Sequence, residues 1–507
     1  MGEDTKKRVK AYYDAQAKAR NGWYRRNRYY HDYIEAIVSS IIPVGSRVLE
    51  LGCGTGNLLS ALHPARGLGL DLSPECIRIA RENHPELEFA VGDAETFELQ
   101  REHFDFVVAS DLVGELDDIA SMLESVRRSS NSDTRLVVTF HNPALELALR
   151  AAQRIGWAMR PARQNWAGRL TMTNLLELAD FRIETSRHGL LVPIPIPWVA
   201  GIANRHLSGK RIVSYVDLVN VIVARPGPAL PLEHLTVSVV IPCRNEVDNV
   251  EAAVERTPDM GTHTEILFVD GASTDGTREL IEEMIARYEG IKDIRLLLQV
   301  PDNERGGRSR MAHTPTMMLK LGKGDAVRKG FDAAQGDVLM ILDADLTVPP
   351  EDLPRFFSPL ASGKARFVNG TRLVYPMEDR AMKFVNYLGN WFFSVLFTWF
   401  LEQPIRDTLC GTKALRKRDY QVIKDGRSHF GDFDPFGDFD LLFGAARARM
   451  RIMEVPVRYR RRISGVSKVR VWKHGWLLAG MSLVAFRRFK LEKWLALLKR
   501  SGGDRTS

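Results

Sequence analysis

Short apolar runs alternate with segments of helical period through the first half of the chain, the pattern of a parallel sheet covered by helices. Residues 47–51, 67–71, 104–110 and 135–140 read as its strands. The periodicity stops at Arg225-Pro226-Gly227-Pro228-Ala229-Leu230-Pro231, where proline prevents either element from continuing. A second series follows, with strands expected at 236–242, 265–270, 294–299 and 338–343. The expected fold class is α/β in two domains, 1–225 and 236–507, joined by a linker over 226–235. Residues 301–321 interrupt the second series with a stretch rich in Arg, Gly, Met and Thr. A long irregular loop of this kind reads equally as an active-site lid or as a plain insertion.

The longest apolar run, 384–401, is broken by Asn386, Gly389 and Asn390. It is short against the roughly 20 residues of a spanning helix and reads as an interfacial or buried helix pair. Composition adds little: of 507 residues 45% are hydrophobic and 26% charged, which excludes wholesale disorder. Cys53, Cys76, Cys243 and Cys410 have no paired spacing, so neither a disulfide framework nor a zinc site is indicated. Residues 1–28 are charged and lack the apolar core of a signal peptide, and a cytoplasmic location is expected. Charge changes the picture more. Between Arg447 and Arg500 stand 16 Lys and Arg against two acids, so the net +8 belongs to the C-terminus and the rest of the chain is near −6. Trp472, Trp476, Phe486 and Trp494 are interleaved with these cations, which favours an anionic membrane surface over nucleic acid.

Val48-Leu49-Glu50-Leu51-Gly52-Cys53-Gly54-Thr55-Gly56 runs from an apolar strand into a glycine-rich turn. Glycines there allow a sharp turn and a close approach of backbone to ligand. The next strand, Gly67-Leu68-Gly69-Leu70-Asp71, ends in an acid roughly 20 residues on, where a carboxylate can accept both hydroxyls of a ribose. Val91-Gly92-Asp93-Ala94 and Ala109-Ser110-Asp111-Leu112 close two further strands. This set resembles the class I S-adenosylmethionine-dependent methyltransferases, with a Rossmann-like sheet, most strongly over residues 34–142. The resemblance implies that Glu50, Gly52, Gly54 and Gly56 line the methionine side of the cofactor, that Asp71 takes the ribose and that Asp93 takes the adenine edge. His141, Asn142, Tyr29, Tyr30 and His31 are candidates to line the methyl-acceptor side, each with an ordinary structural reading beside it.

In the second half Val239-Val240-Ile241-Pro242-Cys243-Arg244-Asn245-Glu246 breaks a strand at a polar tip, and Phe268-Val269-Asp270-Gly271-Ala272-Ser273 ends another in an acid. Ile341-Leu342-Asp343-Ala344-Asp345 ends a third in two carboxylates. Paired carboxylates at a strand end suit a hard divalent cation that also meets nucleotide phosphates. The order and spacing of these motifs resemble the family-2 glycosyltransferases with the nucleotide-diphospho-sugar (GT-A) fold, and among them the polyprenyl-phosphate sugar transferases, over residues 236–489. The resemblance implies that Pro242, Asn245, Glu246 and Asp270 surround base and ribose, that Lys323 approaches the nucleotide, and that Asp343 and Asp345 hold Mg²⁺ or Mn²⁺. Gly271 stands where the family usually has a second Asp. Arg372, Arg462, Ser467 and Lys468 lie in stretches similar to those that clamp the lipid phosphate, and Arg380, opening the helical segment that leads into 384–401, is expected to add a cation at the depth of a lipid headgroup. Asp438 is the candidate base for a hydroxyl acceptor; a phosphate acceptor, already anionic, needs none.

Taken together, the resemblances imply a bifunctional enzyme: methyl transfer from S-adenosylmethionine, and inverting transfer from a nucleotide sugar to a polyprenyl phosphate at the cytoplasmic face of a membrane. Two rival readings stay open: transfer to a soluble or glycan hydroxyl, and a first half that binds without catalysing.

Overall fold

Strands β1 (Arg47–Leu51), β2 (Arg66–Asp71), β3 (Glu88–Val91), β4 (Phe106–Ser110) and β5 (Arg135–His141) pair in parallel, and β6 (Phe181–Gly189) and β7 (Val219–Pro226) add antiparallel pairings at the far edge. The order is β3-β2-β1-β4-β5-β7-β6. The inner strands are apolar along their whole length because helices cover both faces; Val48, Leu49, Val108 and Val137 are fully buried. Ser73 and Asp118 cap the helices Pro74–Asn83 and Ile119–Arg128, their side chains accepting the backbone N–H of Cys76 and of Ala120 and Ser121. Such caps contribute about 1 kcal/mol each. Two helices precede the sheet, α1 (Gly2–Arg26) and α2 (Arg28–Ser39).

The computed structural model describes residues 2–99, 103–210, 213–299, 322–375, 384–427, 438–460, 480, 482–483 and 486–491. Residues 301–321, Arg380, Arg462, Ser467 and Lys468 lie outside these, as does the side chain of Asp438. The chain divides into two units, Met1–Ala229 and Leu230–Ser507. Around that division Pro226 still pairs with Phe181 in the first sheet. Glu233 belongs to the second unit: its N–H donates to the Ala361 carbonyl and its carboxylate takes both arms of Arg416.

In the second unit β8 (Thr236–Cys243), β9 (His263–Asp270), β10 (Asp293–Leu298) and β11 (Val338–Ile341) are parallel, and β12 (Phe367–Thr371), β13 (Lys413–Arg416) and β14 (Ile452–Pro456) complete the sheet. The order is β10-β9-β8-β11-β13-β12-β14, with β13 antiparallel to both its neighbours. The apolar run expected as an interfacial or buried helix pair is one continuous helix, Phe384–Leu401. Phe397 and Phe400 pack into the core, with Phe397 centred 5.3 Å from Phe443, while Val395 and Trp399 are exposed. Full burial of such a ring contributes about 1.5–3 kcal/mol. Among the described residues no helix is long and apolar enough to cross a membrane.

Candidate functional site

In each sheet the strand order reverses once beside the first strand of the unit, between β1 and β4 and between β8 and β11. The carboxyl ends of strands at such a reversal leave a crevice for ligands.

In the first unit that crevice begins at the glycine turn. Gly52, Gly54 and Gly56 have φ of 70°, 55° and 81°, backbone that side chains with a Cβ rarely adopt. A Cβ on Gly56 would also come within 2.7 Å of the Phe89 ring. Asp71 accepts the backbone N–H of Gly54 at 2.8 Å and of Ser73 at 2.9 Å, which ties the turn to the end of β2. Gly52, Asp71, Gly92, Asp93, Ser110, Asp111 and Leu112 line one cleft. The strand-end residues expected from sequence thus meet in one place. Gly54, Gly56 and Glu50 are not among them, and Glu50 lies apart. It is buried beneath the turn, accepting the Leu59 N–H at 3.1 Å, and burial pushes its carboxyl up to about 8. It braces the loop from below and does not line the cleft.

The opposite wall is α1, which the sequence analysis left without a role. Its residues Lys6, Val9, Tyr13 and Arg20 line the same cleft. Lys6 Nζ reaches Asp93 at 2.6 Å and Glu95 at 2.7 Å; burial works against its charge, but the two carboxylates raise its pKa. Tyr13 donates to Glu115, whose carboxyl is pushed up to about 7 by burial. Arg20 lies so close to Gly54 that a Cβ there would sit 2.7 Å from its Nε. The spacing of Val9, Tyr13 and Ala17 is the signal that was available, since residues four apart share a helix face. Of the acceptor-side candidates, Asn142 is engaged in structure: it caps the turn Pro143–Leu145 and donates to the carbonyls of Tyr215 and Asp217. Tyr29 accepts from Asn204.

In the second unit Asn245, with φ 55°, donates its N–H to Ser273 Oγ and accepts from the Thr274 N–H, joining the tips of β8 and β9. Glu246 takes Asn249 Nδ2 at 3.0 Å. Asp270 is fully buried and receives the Ser273 N–H. The missing second acid has a local reason: a Cβ on Gly271 would lie 3.2 Å from Gln299 Oε1 and 3.3 Å from the Cys243 carbonyl. Lys323, first residue of the helix Lys323–Ala333, holds Asp343 at 2.6 Å. Burial alone would raise the Asp343 carboxyl, but Lys323, Lys413 and Arg372 together hold it below the usual range. A Cβ on Gly411 would meet both Asp343 and Lys323, so the pair as placed packs directly against this glycine. Asp345 accepts the N–H and hydroxyl of Thr347 at 3.1 and 2.8 Å.

Arg372 does not stand open. Its Nε and Nη2 bind Asp407 at 2.6 and 2.8 Å and its guanidinium lies 5.0 Å from the Tyr459 ring centre. Asp440, two residues beyond Asp438, is held by Arg427 at 2.7 Å. The paired carboxylates of Asp343 and Asp345 offer oxygen donors of the kind that suits a hard divalent cation; among the described residues there is no larger cluster of metal-binding side chains.

The family pattern described as a methyltransferase domain matches residues 23–186, and that of glycosyl transferase family 2 matches 238–298 and 318–422. Glycosyltransferase AglD of Haloferax volcanii is 27% identical over 44% of this chain and 32% of its own length. The dolichol-phosphate mannosyltransferase of Pyrococcus furiosus is 26% identical over 51% of this chain and 64% of its own. The chain therefore spans only part of the length of these relatives. Among solved structures, the magnesium protoporphyrin IX methyltransferase of Synechocystis aligns with TM-score 0.33 and 16% identity, over 43% of this chain and 98% of that one. Sequence motifs, sheet order and family patterns agree: the chain carries a methyltransferase domain followed by a family-2 glycosyltransferase domain.

Proposed function

We propose that the first unit binds S-adenosylmethionine between the strand ends and α1 and transfers its methyl group. The second unit transfers a sugar from a nucleotide sugar to a polyprenyl phosphate. The difference in charge between the two clefts is the observation that supports this pairing. The first is lined by Asp71, Asp93, Glu95, Asp111, Glu115 and Asp117 against Lys6 and Arg20, a surplus of acid suited to a cationic sulfonium. In the second, Lys323, Lys413 and Arg372 act on a single buried carboxylate, Asp343, a cationic field suited to a departing diphosphate. Asp71 would take the ribose hydroxyls and Arg20 the cofactor's carboxylate.

In the second unit Asp343 and Asp345 would hold Mg²⁺ or Mn²⁺, which would supply positive charge to the diphosphate. Lys323 does the same from the protein side and positions the leaving group. An acceptor phosphate oxygen then attacks the anomeric carbon as the bond to the diphosphate breaks, inverting that carbon. Catalysis of this kind is positional and electrostatic. The acceptor class follows the dolichol-phosphate relative, and the exposed Trp399, with Lys490 above its ring, suits work at a membrane surface. Calorimetry with S-adenosylmethionine, and release of nucleoside diphosphate from a panel of nucleotide sugars with and without a short polyprenyl phosphate, test the two halves separately. Release that polyprenyl phosphate does not stimulate overturns the acceptor assignment, and release that a chelator leaves unchanged overturns the metal.

A further inference from the structure

Beside the cofactor-facing edge of the first cleft lies a cluster with chemistry of its own. Tyr30 on α2 donates its hydroxyl to Asp111 Oδ2 at 2.5 Å, and His141 Nε2 at the end of β5 lies 3.0 Å from the Tyr30 hydroxyl oxygen. The second oxygen of Asp111 accepts the Thr139 hydroxyl at 3.1 Å. Asp111 sits at φ 54°, a backbone state that persists in a non-glycine residue only when its surroundings hold it. The carboxylate is thus fixed at the cleft wall, between Ser110 and Leu112.

Burial and the charge of Asp111 hold the Tyr30 phenol well above 10, so it stays protonated and its one hydrogen goes to Asp111. The oxygen then meets His141 with a lone pair, and His141 must present Nε2–H to it. That leaves Nδ1 as the basic nitrogen of the ring.

The surroundings name the other half of the ligand. Trp198, Leu147 and Tyr215 are 87%, 83% and 71% exposed. They lie in two segments tied to either side of the cluster: Asn142, next to His141, binds the Tyr215 carbonyl, and Asn204 binds Tyr29, next to Tyr30. The helix Glu146–Arg154 buries none of its residues. Arg154, Arg205 and Lys210 stand exposed among these apolar side chains, the mixture that suits an amphiphile with its polar end at the cleft.

We propose that Tyr30, Asp111 and His141 form the methyl-acceptor site and that the acceptor is a hydroxyl on an amphiphile, whose apolar part lies along residues 192–210 and 213–216. This rests on the assignment of the first cleft to S-adenosylmethionine. The acceptor oxygen forms its bond to the methyl carbon as the carbon–sulfur bond breaks, its electron pair returning to sulfur. The hydroxyl proton passes to His141 Nδ1. Asp111, acting through Tyr30, stabilises the imidazolium, so His141 is the catalytic base and the other two are positioning residues.

The test uses the full chain, methyl-tritiated S-adenosylmethionine and three probes: micellar hexadecanediol, micellar hexadecylamine and soluble propanediol. Label is expected in hexadecanediol. His141→Gln and His141→Asn should each cut its kcat about 100-fold, a typical general-base contribution, with cofactor affinity unchanged by calorimetry. Tyr30→Phe should cut kcat about ten-fold with KM unchanged, a split that mere loosening of the fold would not give. Preferential labelling of the amine or of propanediol overturns the proposal, as do full rates in both His141 variants. Cofactor binding without labelling of hexadecanediol overturns it too, whereas absence of cofactor binding overturns the cofactor assignment instead.

Discussion

Both units place acids at the carboxyl ends of parallel strands where the strand order reverses, yet the two crevices treat those acids differently. In the first, Asp71 is bound by backbone N–H groups of Gly54 and Ser73, and the cations that face the cleft arrive on α1, outside the sheet. In the second, Asp343 is held by Lys323 on the helix that leads into β11, with Lys413 on β13 adding to the field. The same topological position thus carries a surplus of acid in one unit and a group of cations around a single carboxylate in the other. Topology sets where a ligand binds; the source of the counter-charge sets which ligand.

The sharpest break in that contrast is Lys323→Met. Without the ammonium, Asp343 loses its directly bound counter-charge and keeps only the fields of Lys413 and Arg372 where the proposed diphosphate would gather charge. Turnover of nucleotide sugar is expected to fall about 1,000-fold, or roughly 4 kcal/mol in the barrier, while S-adenosylmethionine binding stays intact. Nucleoside diphosphate release and calorimetry on one preparation read both; an undiminished release rate removes the cationic site from the comparison. A smaller effect is expected at Asp71→Ala, which takes away a charge-assisted acceptor worth about 1.5–3 kcal/mol. Cofactor affinity should drop ten-fold or more with sugar transfer unchanged. Asp71→Asn, which keeps one acceptor oxygen for Gly54 or Ser73, should lose less.

The sequence made the strand ends legible because glycine turns and terminal acids are local signals. Residues 47–51 and 236–242 were expected as strands, and β1 and β8 follow them within a residue. Three features were not legible, each because it depends on distant pairing. Helix α1 reads as merely charged until Asp93 and Glu95, far along the chain, give Lys6 its partners. Glu50 reads as a cofactor ligand because it adjoins the glycines, but strand alternation turns it under the turn to Leu59. Arg372 reads as a free phosphate fork until Asp407, beyond the helix Phe384–Leu401, occupies it. Gly411, in a stretch similar to one in the polyprenyl-phosphate transferases, gave no hint that it faces Lys323 and Asp343 at close range.

Glu50 also offers a pH test of the contrast between a protonated acid and an ionised one. Burial lifts its folded pKa to about 8 from an ordinary 4.5, so between these values the folded state holds a proton that the unfolded chain has lost. Its contribution to stability is therefore fully present below about pH 4.5 and is lost as pH rises towards 8. Asp343, held low by Lys323, has the opposite sign: its contribution is lost as pH falls. Each pKa unit corresponds to about 1.4 kcal/mol. Glu50→Gln should flatten the decline in the unfolding temperature of the first unit between about pH 5 and pH 8, read by scanning calorimetry. A decline as steep as in the parent chain would mean that Glu50 is ionised in the fold.

The smallest expected effect is also the one that separates two roles for a single arginine. Arg372 was expected to hold an acceptor phosphate, and its place after β12 at the strand ends fits that idea. Its guanidinium, however, is buried against Asp407 through two hydrogen bonds, with the ring of Tyr459 on its face. Asp407 in turn receives the N–H groups of Arg372 and Leu409, so the pair holds β12 to the loop that leads into β13. Arg372→Lys keeps the charge but can copy neither the fork nor the stacking, and should cost the second unit about 1–2 kcal/mol of stability, the scale of one charge-assisted hydrogen bond. At a temperature where the variant is fully folded, transfer to polyprenyl phosphate should change by no more than about three-fold, which corresponds to less than 1 kcal/mol. A loss of transfer beyond ten-fold, with the unfolding temperature of the second unit unmoved, would return Arg372 to the acceptor. It would also mean that the second crevice recruits its cations for the incoming phosphate as well as for the leaving one.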